Sequence, residues 1–368
     1  MGRPIQYRRT PPPTRCALCQ TQGKELYRCL CGGSVEVMHP AFPRLSWRTI
    51  RARPFHHWRY HDFYIHIPRP ISLGEGGTSL IHSIQDRGLH FKIEGDNPTG
   101  SFKDRGSTIE VSSAQALGAR KVVLASTGNM GASVAAYAAR GGLECTVYIP
   151  HNTTEEKLGE MRAFGTKLVK VRGDYTKAAA TARKVARDRG GFLCGDYSLR
   201  REGEKSIAFE LVDSLGSVDN VVVPMGNGTL ISSLWQGFCD LASVGLLRQM
   251  PRLIGVQAQG CKPIADAFVG RHSIRTVMPR TIASAIACGD PLDGELALRA
   301  LSASRGRAVV VSDKEMVVAR RAMARHEGID SEPSGAAPYA AFGKLKLPKD
   351  QVTVCVVTGH GLKDLKNV

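Results

Sequence analysis

From about residue 71 onward the chain alternates short apolar, β-branched runs with Ala-rich stretches, and this alternation limits the fold more than any other feature. LHFKIEG (89–95), KVVLAS (121–126), CTVYIP (145–150), KLVKV (167–171), NVVVPM (220–225), RLIGVQA (252–258), RAVVVS (307–312) and QVTVCVVT (351–358) read as strands. Between them SFKDRGSTIEVSSAQALG (101–118), GASVAAYAARGG (131–142), TEEKLGEMRAFG (154–165), DYTKAAATARKVARDRG (174–190) and KSIAFELVDSLG (205–216) read as helices. Strands that are apolar on both faces, joined by helices, predict parallel sheets covered on both sides, an α/β architecture. The number of strands predicts two such sheets. Residues 1–70 are different in texture, rich in Arg, Pro, His and aromatics, and predict a small knuckle followed by an irregular connector.

The knuckle is predicted from cysteine spacing. Of ten cysteines, Cys145, Cys194, Cys239, Cys261, Cys288 and Cys355 are scattered singly and read as buried thiols or bystanders. Cys16-x2-Cys19 and Cys29-x-Cys31, followed by Gly32-Gly33, are close together, and four thiolates in so short a stretch suit one tetrahedral structural zinc. The alternatives are two disulfides, which a reducing compartment disfavours, or a site that has lost its metal. His39, His56, His57, His61 and His66 show no ligand spacing and read as connector or interface.

Charge separates function classes. Lys and Arg number 50 against 33 acids, a net +17, and residues 1–70 hold twelve of the basic residues against three acids. Such a balance suits anionic partners, but no RNA-binding motif or heptad pattern accompanies it, so nucleic acid is not the expected partner. No apolar run reaches the ~18 residues of a membrane span, and MGRPIQYRRTPPP lacks the apolar core of a signal peptide. A cytoplasmic protein without membrane partners is expected.

In α/β folds ligands gather where loops leave the carboxyl ends of strands, and four such loops carry chemistry. Asp96-Asn97-Pro98-Thr99-Gly100-Ser101-Phe102-Lys103-Asp104-Arg105-Gly106 delivers Lys103 to the start of a helix. A lysine there opposes the helix dipole and suits amine–carbonyl chemistry. Ser126-Thr127-Gly128-Asn129-Met130-Gly131 opens an Ala-rich helix and offers free amides and hydroxyls to a carboxylate. Gly226-Asn227-Gly228-Thr229 opens another and suits a phosphate, and QVTVCVVT runs into Thr358-Gly359-His360-Gly361-Leu362-Lys363-Asp364.

Taken in order, NPTGSFKDRG, STGN, EPSGAA (Glu332 to Ala337) and TGHGLKD resemble the fold type II pyridoxal-phosphate enzymes, and within them the threonine synthases, over about residues 70–368. The Cys-rich start followed by CGG also resembles the N-terminal element of many members. The resemblance implies two doubly wound α/β domains with the cofactor, pyridoxal 5'-phosphate, in the cleft, plus the small knuckle. It implies that Lys103 holds the cofactor and moves substrate protons, and that Asn129 bonds the ring hydroxyl. Gly226, Asn227, Gly228 and Thr229 would hold the phosphate, Thr358 would face the pyridine nitrogen, and Ser126 and Thr127 would take the substrate carboxylate. His360 is expected to pack near the cofactor or position its loop. The implied domains are 1–45 (knuckle and connector start), 46–106 with 206–368 (large), and 107–205 (small). The implied reaction converts O-phospho-L-homoserine and water into L-threonine and phosphate, in a homodimer.

The resemblance is incomplete in the substrate region. A family stretch of the form N-S-x-N-P-x-R-x-x-G-x-K corresponds here to Cys194-Gly195-Asp196-Tyr197-Ser198-Leu199-Arg200-Arg201-Glu202-Gly203-Glu204-Lys205. Arg200, Gly203 and Lys205 match, and Arg200 with Lys205 are expected to hold the substrate phosphate, a surface role being the alternative for Arg200. The Asn-Ser and Asn-Pro positions do not match, nor does Met130, and Thr229-Leu230 replace a second Gly and Asn. These departures keep open β-replacement on O-phosphoserine, as in cysteate-synthase-like relatives, and threonine or serine deamination. A non-catalytic basic scaffold that binds nucleic acid is the alternative from another class, and an intact Lys103 loop argues against it.

Overall fold

A computed structural model describes residues 10–153 and 158–364. Arg3, Arg8 and Arg9 of the basic start, and Thr154, Glu155, Glu156 and Lys157 of the expected 154–165 helix, lie outside the described residues. Among the described residues the strands are β1 (Thr14–Cys16), β2 (Gln22–Gly23), β3 (Val35–Val37), β4 (Leu80–His82), β5 (Leu89–Ile93), β6 (Lys121–Ala125), β7 (Glu144–Pro150), β8 (Lys167–Val171), β9 (Phe192–Leu193), β10 (Asn220–Pro224), β11 (Arg252–Ala258), β12 (Arg307–Val311) and β13 (Thr353–Val357). No helix among these residues is long and apolar enough to cross a membrane.

The chain divides into two compact units. The first comprises the described parts of Met1–Pro40, Tyr64–Glu75 and Lys103–Gly203. It holds an antiparallel ribbon in the order β2-β1-β3 and a parallel sheet in the order β8-β7-β6-β9. The helix Tyr175–Asp188 shows why alanine marks the helices here. Its buried residues are Ala178, Ala182 and Ala186, one face at i, i+4 and i+8, and Asp174 caps it by accepting from Lys177 N at 3.0 Å. The helix Lys103–Ala116 is buried through most of its length although it is polar, because its polar groups are paired. Ser133 Oγ donates to Asp104 at 2.6 Å, and Thr108 Oγ1 donates to Ile71 O at 2.8 Å.

The second unit comprises Ala41–Phe63, Gly76–Phe102 and the described part of Glu204–Val368. Its sheet runs β12-β11-β10-β13-β5-β4, parallel except for the edge strand β4, which pairs antiparallel with β5. β10 is central, with Val222 opposite Ile254 on one side and Cys355 on the other. The lysine inside the apolar run LHFKIEG is explained by a partner: Lys92 Nζ lies 2.7 Å from Glu210 Oε2 and 2.7 Å from Thr78 O.

The units differ from the expected domains at several boundaries: Tyr64–Glu75 fall in the first unit, and Glu204 and Lys205 in the second. The Cys-rich segment belongs with the smaller α/β unit, because Leu26 enters its apolar core. Lys103 to Gly106 also belong there, because the helix they open packs within that unit.

Candidate active site

In the first unit Lys103 is the first residue of its helix, and its side chain is 16% exposed with Nζ 3.2 Å from Asp196 Oδ1. The sequence reading missed Asp196, which stands at an unspecified position of the family stretch and carried no signal of its own. The residues before it are held by Glu110, whose Oε1 accepts from Gly195 N at 2.8 Å. Cys194 is buried, and that burial pushes its thiol well above the ordinary range, so it is inert rather than nucleophilic.

The second expected loop, in the same unit, closes on a serine. Ser126 Oγ accepts from Gly131 N at 2.9 Å as the helix Asn129–Arg140 begins. A Cβ at Gly131 would stand 2.7 Å from Met161 Sδ and 3.2 Å from Ser126 Cβ, so glycine here lets the helix start lie against the serine. Thr127 and Asn129 remain half-buried and Gly128 exposed, so this helix start is open to a ligand.

The loop expected to take a phosphate lies in the second unit. β10 runs into Gly226-Asn227-Gly228, and Thr229 opens a 15-residue helix, Thr229–Ser243. Gly228 has φ +86°, and a Cβ on it would meet Asp293 O at 2.7 Å, so conformation and space both require glycine. Asn227 is tied to a second loop: its Oδ1 accepts from Leu292 N at 3.2 Å and from Cys288 Sγ at 2.9 Å. Thr229 Oγ1 is buried without a hydrogen-bond partner among the described residues. A buried hydroxyl without a partner, at the positive end of a long helix, fits a bound phosphate.

The loop after β13 is tied to the loop that precedes Lys103. Thr358 O accepts from Phe102 N at 3.1 Å, and Ser101 pairs with Gly359 as an isolated bridge. Ser331, bridged to His360, was not singled out in the sequence. Ser101 Oγ and Ser331 Oγ are both buried without a partner among the described residues. His360 Nδ1 accepts from Leu362 N at 3.1 Å, a cap on its own loop.

Arg200 and Lys205 are placed differently from the expectation that they hold a substrate phosphate. Both are 0% exposed. Arg200 lies 2.5 Å from Glu110 Oε2 and donates to Gly195 O at 3.1 Å, Lys103 O at 3.2 Å and Ser107 Oγ at 3.3 Å. In the second unit Lys205 Nζ donates to Phe63 O at 2.9 Å and lies 2.9 Å from Asp240 Oδ2. Each charge is spent on the protein's own interior. The signal for this was present in Glu110, an acid inside the helix that Lys103 opens.

Comparisons with known proteins show the family. A family described as "Pyridoxal-phosphate dependent enzyme" matches residues 71–359. The threonine synthase of Methanocaldococcus jannaschii is 38% identical, with 95% of this chain and 92% of the relative covered. That of Mycobacterium tuberculosis strain H37Rv is 40% identical, with 80% and 84% covered. Maize serine racemase shares the fold at a TM-score of 0.68 and 20% identity, covering 87% of this chain and 94% of its own. The processed form of a threonine deaminase from Solanum lycopersicum does so at 0.67 and 20%, covering 79% and 85%.

Proposed function

The chain belongs to the fold type II pyridoxal-phosphate dependent enzymes and, within them, to the threonine synthases; on that premise we propose that it turns O-phospho-L-homoserine and water into L-threonine and phosphate around Lys103. The observation that carries this is the Lys103 amine itself, set at a helix start after a glycine turn, with Asp196 Oδ1 3.2 Å away.

Bound pyridoxal phosphate supplies an electron sink that makes the α and β hydrogens of a joined amino acid removable. The residues proposed to hold it are Lys103 through its amine, Asn129 at the ring hydroxyl, Gly226 to Thr229 at the phosphate, and Thr358 at the pyridine nitrogen. The unpartnered Thr229 hydroxyl at the start of a long helix supports the phosphate assignment. A hydroxyl at Thr358 does not force a proton onto the ring, which favours elimination and replacement over transamination.

The chain's own part is proton traffic and placement. Lys103 Nζ takes the substrate's α proton and returns it. Asp196 Oδ1 is positioned to steady the ammonium that forms and to accept its proton. Ser126, Thr127 and the amides at the start of the Asn129–Arg140 helix hold the substrate carboxylate, so that the α C–H bond faces the amine. Arg200 fixes the backbone on which this geometry depends, by holding Lys103 O and Gly195 O together. The homodimer and the cytoplasmic setting belong to the same proposal, and the ten free thiols favour a reducing compartment.

The test is Lys103→Ala. The variant is expected to purify without the visible chromophore, and borohydride is expected to fix no cofactor to it. A chromophore that is still bleached and fixed by borohydride would assign the attachment to another lysine.

A further inference from the structure

Outside the site described above, the strongest chemical cluster is the group of four sulfurs on the N-terminal ribbon. Cys16, Cys19, Cys29 and Cys31 place their Sγ atoms within 4.8 Å of one another, and none is in a disulfide. The pairs Cys16–Cys31 and Cys19–Cys29 are each 3.5 Å apart. A disulfide needs about 2.05 Å, whereas thiolates bound at ~2.3 Å to a tetrahedral zinc stand roughly 3.8 Å apart. The backbone is shaped for the same purpose. Leu18 N donates to Cys16 Sγ at 3.4 Å, which disperses thiolate charge. Gly32 turns with φ +86°, and a Cβ on Gly33 would come within 2.8 Å of Cys16 Sγ.

The ribbon has little else to hold it together. Its strands are two and three residues long, and its buried apolar side chains are Cys16, Leu26 and Val35. So small a core does not stabilise a fold by itself. Yet the ribbon grips one stretch of the α/β unit at successive points. Leu193 N donates to Tyr27 Oη at 3.2 Å, and the Tyr27 ring meets Tyr197 edge-on at 5.1 Å. Ser198 Oγ donates to Leu26 O at 2.7 Å, the Arg201 guanidinium donates to Val35 O, and His39 Nε2 lies 2.6 Å from Glu202 Oε2. Asp196, which faces Lys103, stands inside that stretch.

We propose that the four thiolates bind one zinc ion, and that the metal-held ribbon is the brace that keeps residues 192–202, and with them Asp196, in place opposite Lys103. The brace rests on the reading of Lys103 given above; the metal site does not.

Full-length holoenzyme is expected to contain about one zinc per chain, and Cys29→Ser/Cys31→Ser is expected to contain none. In that double variant the amides of 192–202 should exchange with deuterium roughly ten-fold faster or more, while β10 and β11 exchange as before. Tyr27→Ala separates the two claims and guards against a variant that does not fold: it should keep its zinc and loosen the same stretch. Metal-free protein with four intact thiols, or iron in place of zinc, would overturn the site. Unchanged exchange of 192–202 in Tyr27→Ala, or in a double variant that has lost its zinc, would overturn the brace. Failure of the Lys103 assignment gives a different result, a reducible chromophore on another lysine, with the metal content unaffected.

Discussion

At the scale of single residues, the structure separates an accessible charge from charges sealed inside the protein. Lys103 keeps part of its side chain accessible, whereas Arg200 is sealed against Glu110. Removing one member of a buried pair leaves the other uncompensated, at a cost of about 3–5 kcal/mol. Arg200→Ala is therefore expected to lower the denaturant midpoint strongly, with Arg200→Lys recovering only part, because an ammonium cannot make the guanidinium's separate contacts. Any surviving activity should fall equally on phosphorylated and unphosphorylated substrates. A stable Arg200→Ala protein impaired only on phosphorylated substrates would return Arg200 to the role expected from the family stretch. The motifs made it legible in the sequence that Lys103, the Asn129 loop and the 226–229 loop open helices. Asp196 was not legible, because its proximity to Lys103 depends on how residues 194–200 fold back over the start of a helix 93 positions earlier.

At the scale of elements, the loop proposed to hold phosphate is where strand, turn and helix act as one device. β10 ends, Gly228 takes a left-handed turn with no room for a Cβ beside Asp293 O, and the helix begins at Thr229. Because Thr229 Oγ1 has no partner among the described residues, Thr229→Val should leave the cofactor-free protein as stable as before, or slightly more so, since burying an unpaired hydroxyl costs ~1–3 kcal/mol. On the proposed assignment the same change removes a charge-assisted hydrogen bond of ~1.5–3 kcal/mol, so pyridoxal phosphate should bind roughly ten- to a hundred-fold more weakly. A titration of cofactor into the stripped protein, beside a melting curve of each form, checks both halves. A fall in stability with unchanged affinity would show that the hydroxyl serves the fold. The strands β5 to β8 and β10 to β13 were legible from apolar, β-branched runs, but β4, β9 and the strands of the Cys-rich ribbon were not: Leu80–His82, for one, is too short to signal a strand, and it forms by pairing with β5.

At the scale of the whole molecule, the alternation of apolar strands and Ala-rich helices is enough to predict two α/β sheets. What it cannot predict is which unit the polar segments join. The Cys-rich start has almost no hydrophobic pattern, and its place in the first unit is decided by a few contacts made by Leu26, Tyr27 and Val35. The helix at Lys103 misleads in the opposite direction, because a polar sequence is buried there through paired groups rather than an apolar face. The central claim, that the molecule is a threonine synthase working through Lys103, is tested most directly by its products. Purified holoenzyme given O-phospho-L-homoserine should release phosphate and form L-threonine in equal amounts, and Lys103→Ala should form neither. Phosphate release without threonine, or turnover of O-phosphoserine in preference to O-phospho-L-homoserine, would contradict it.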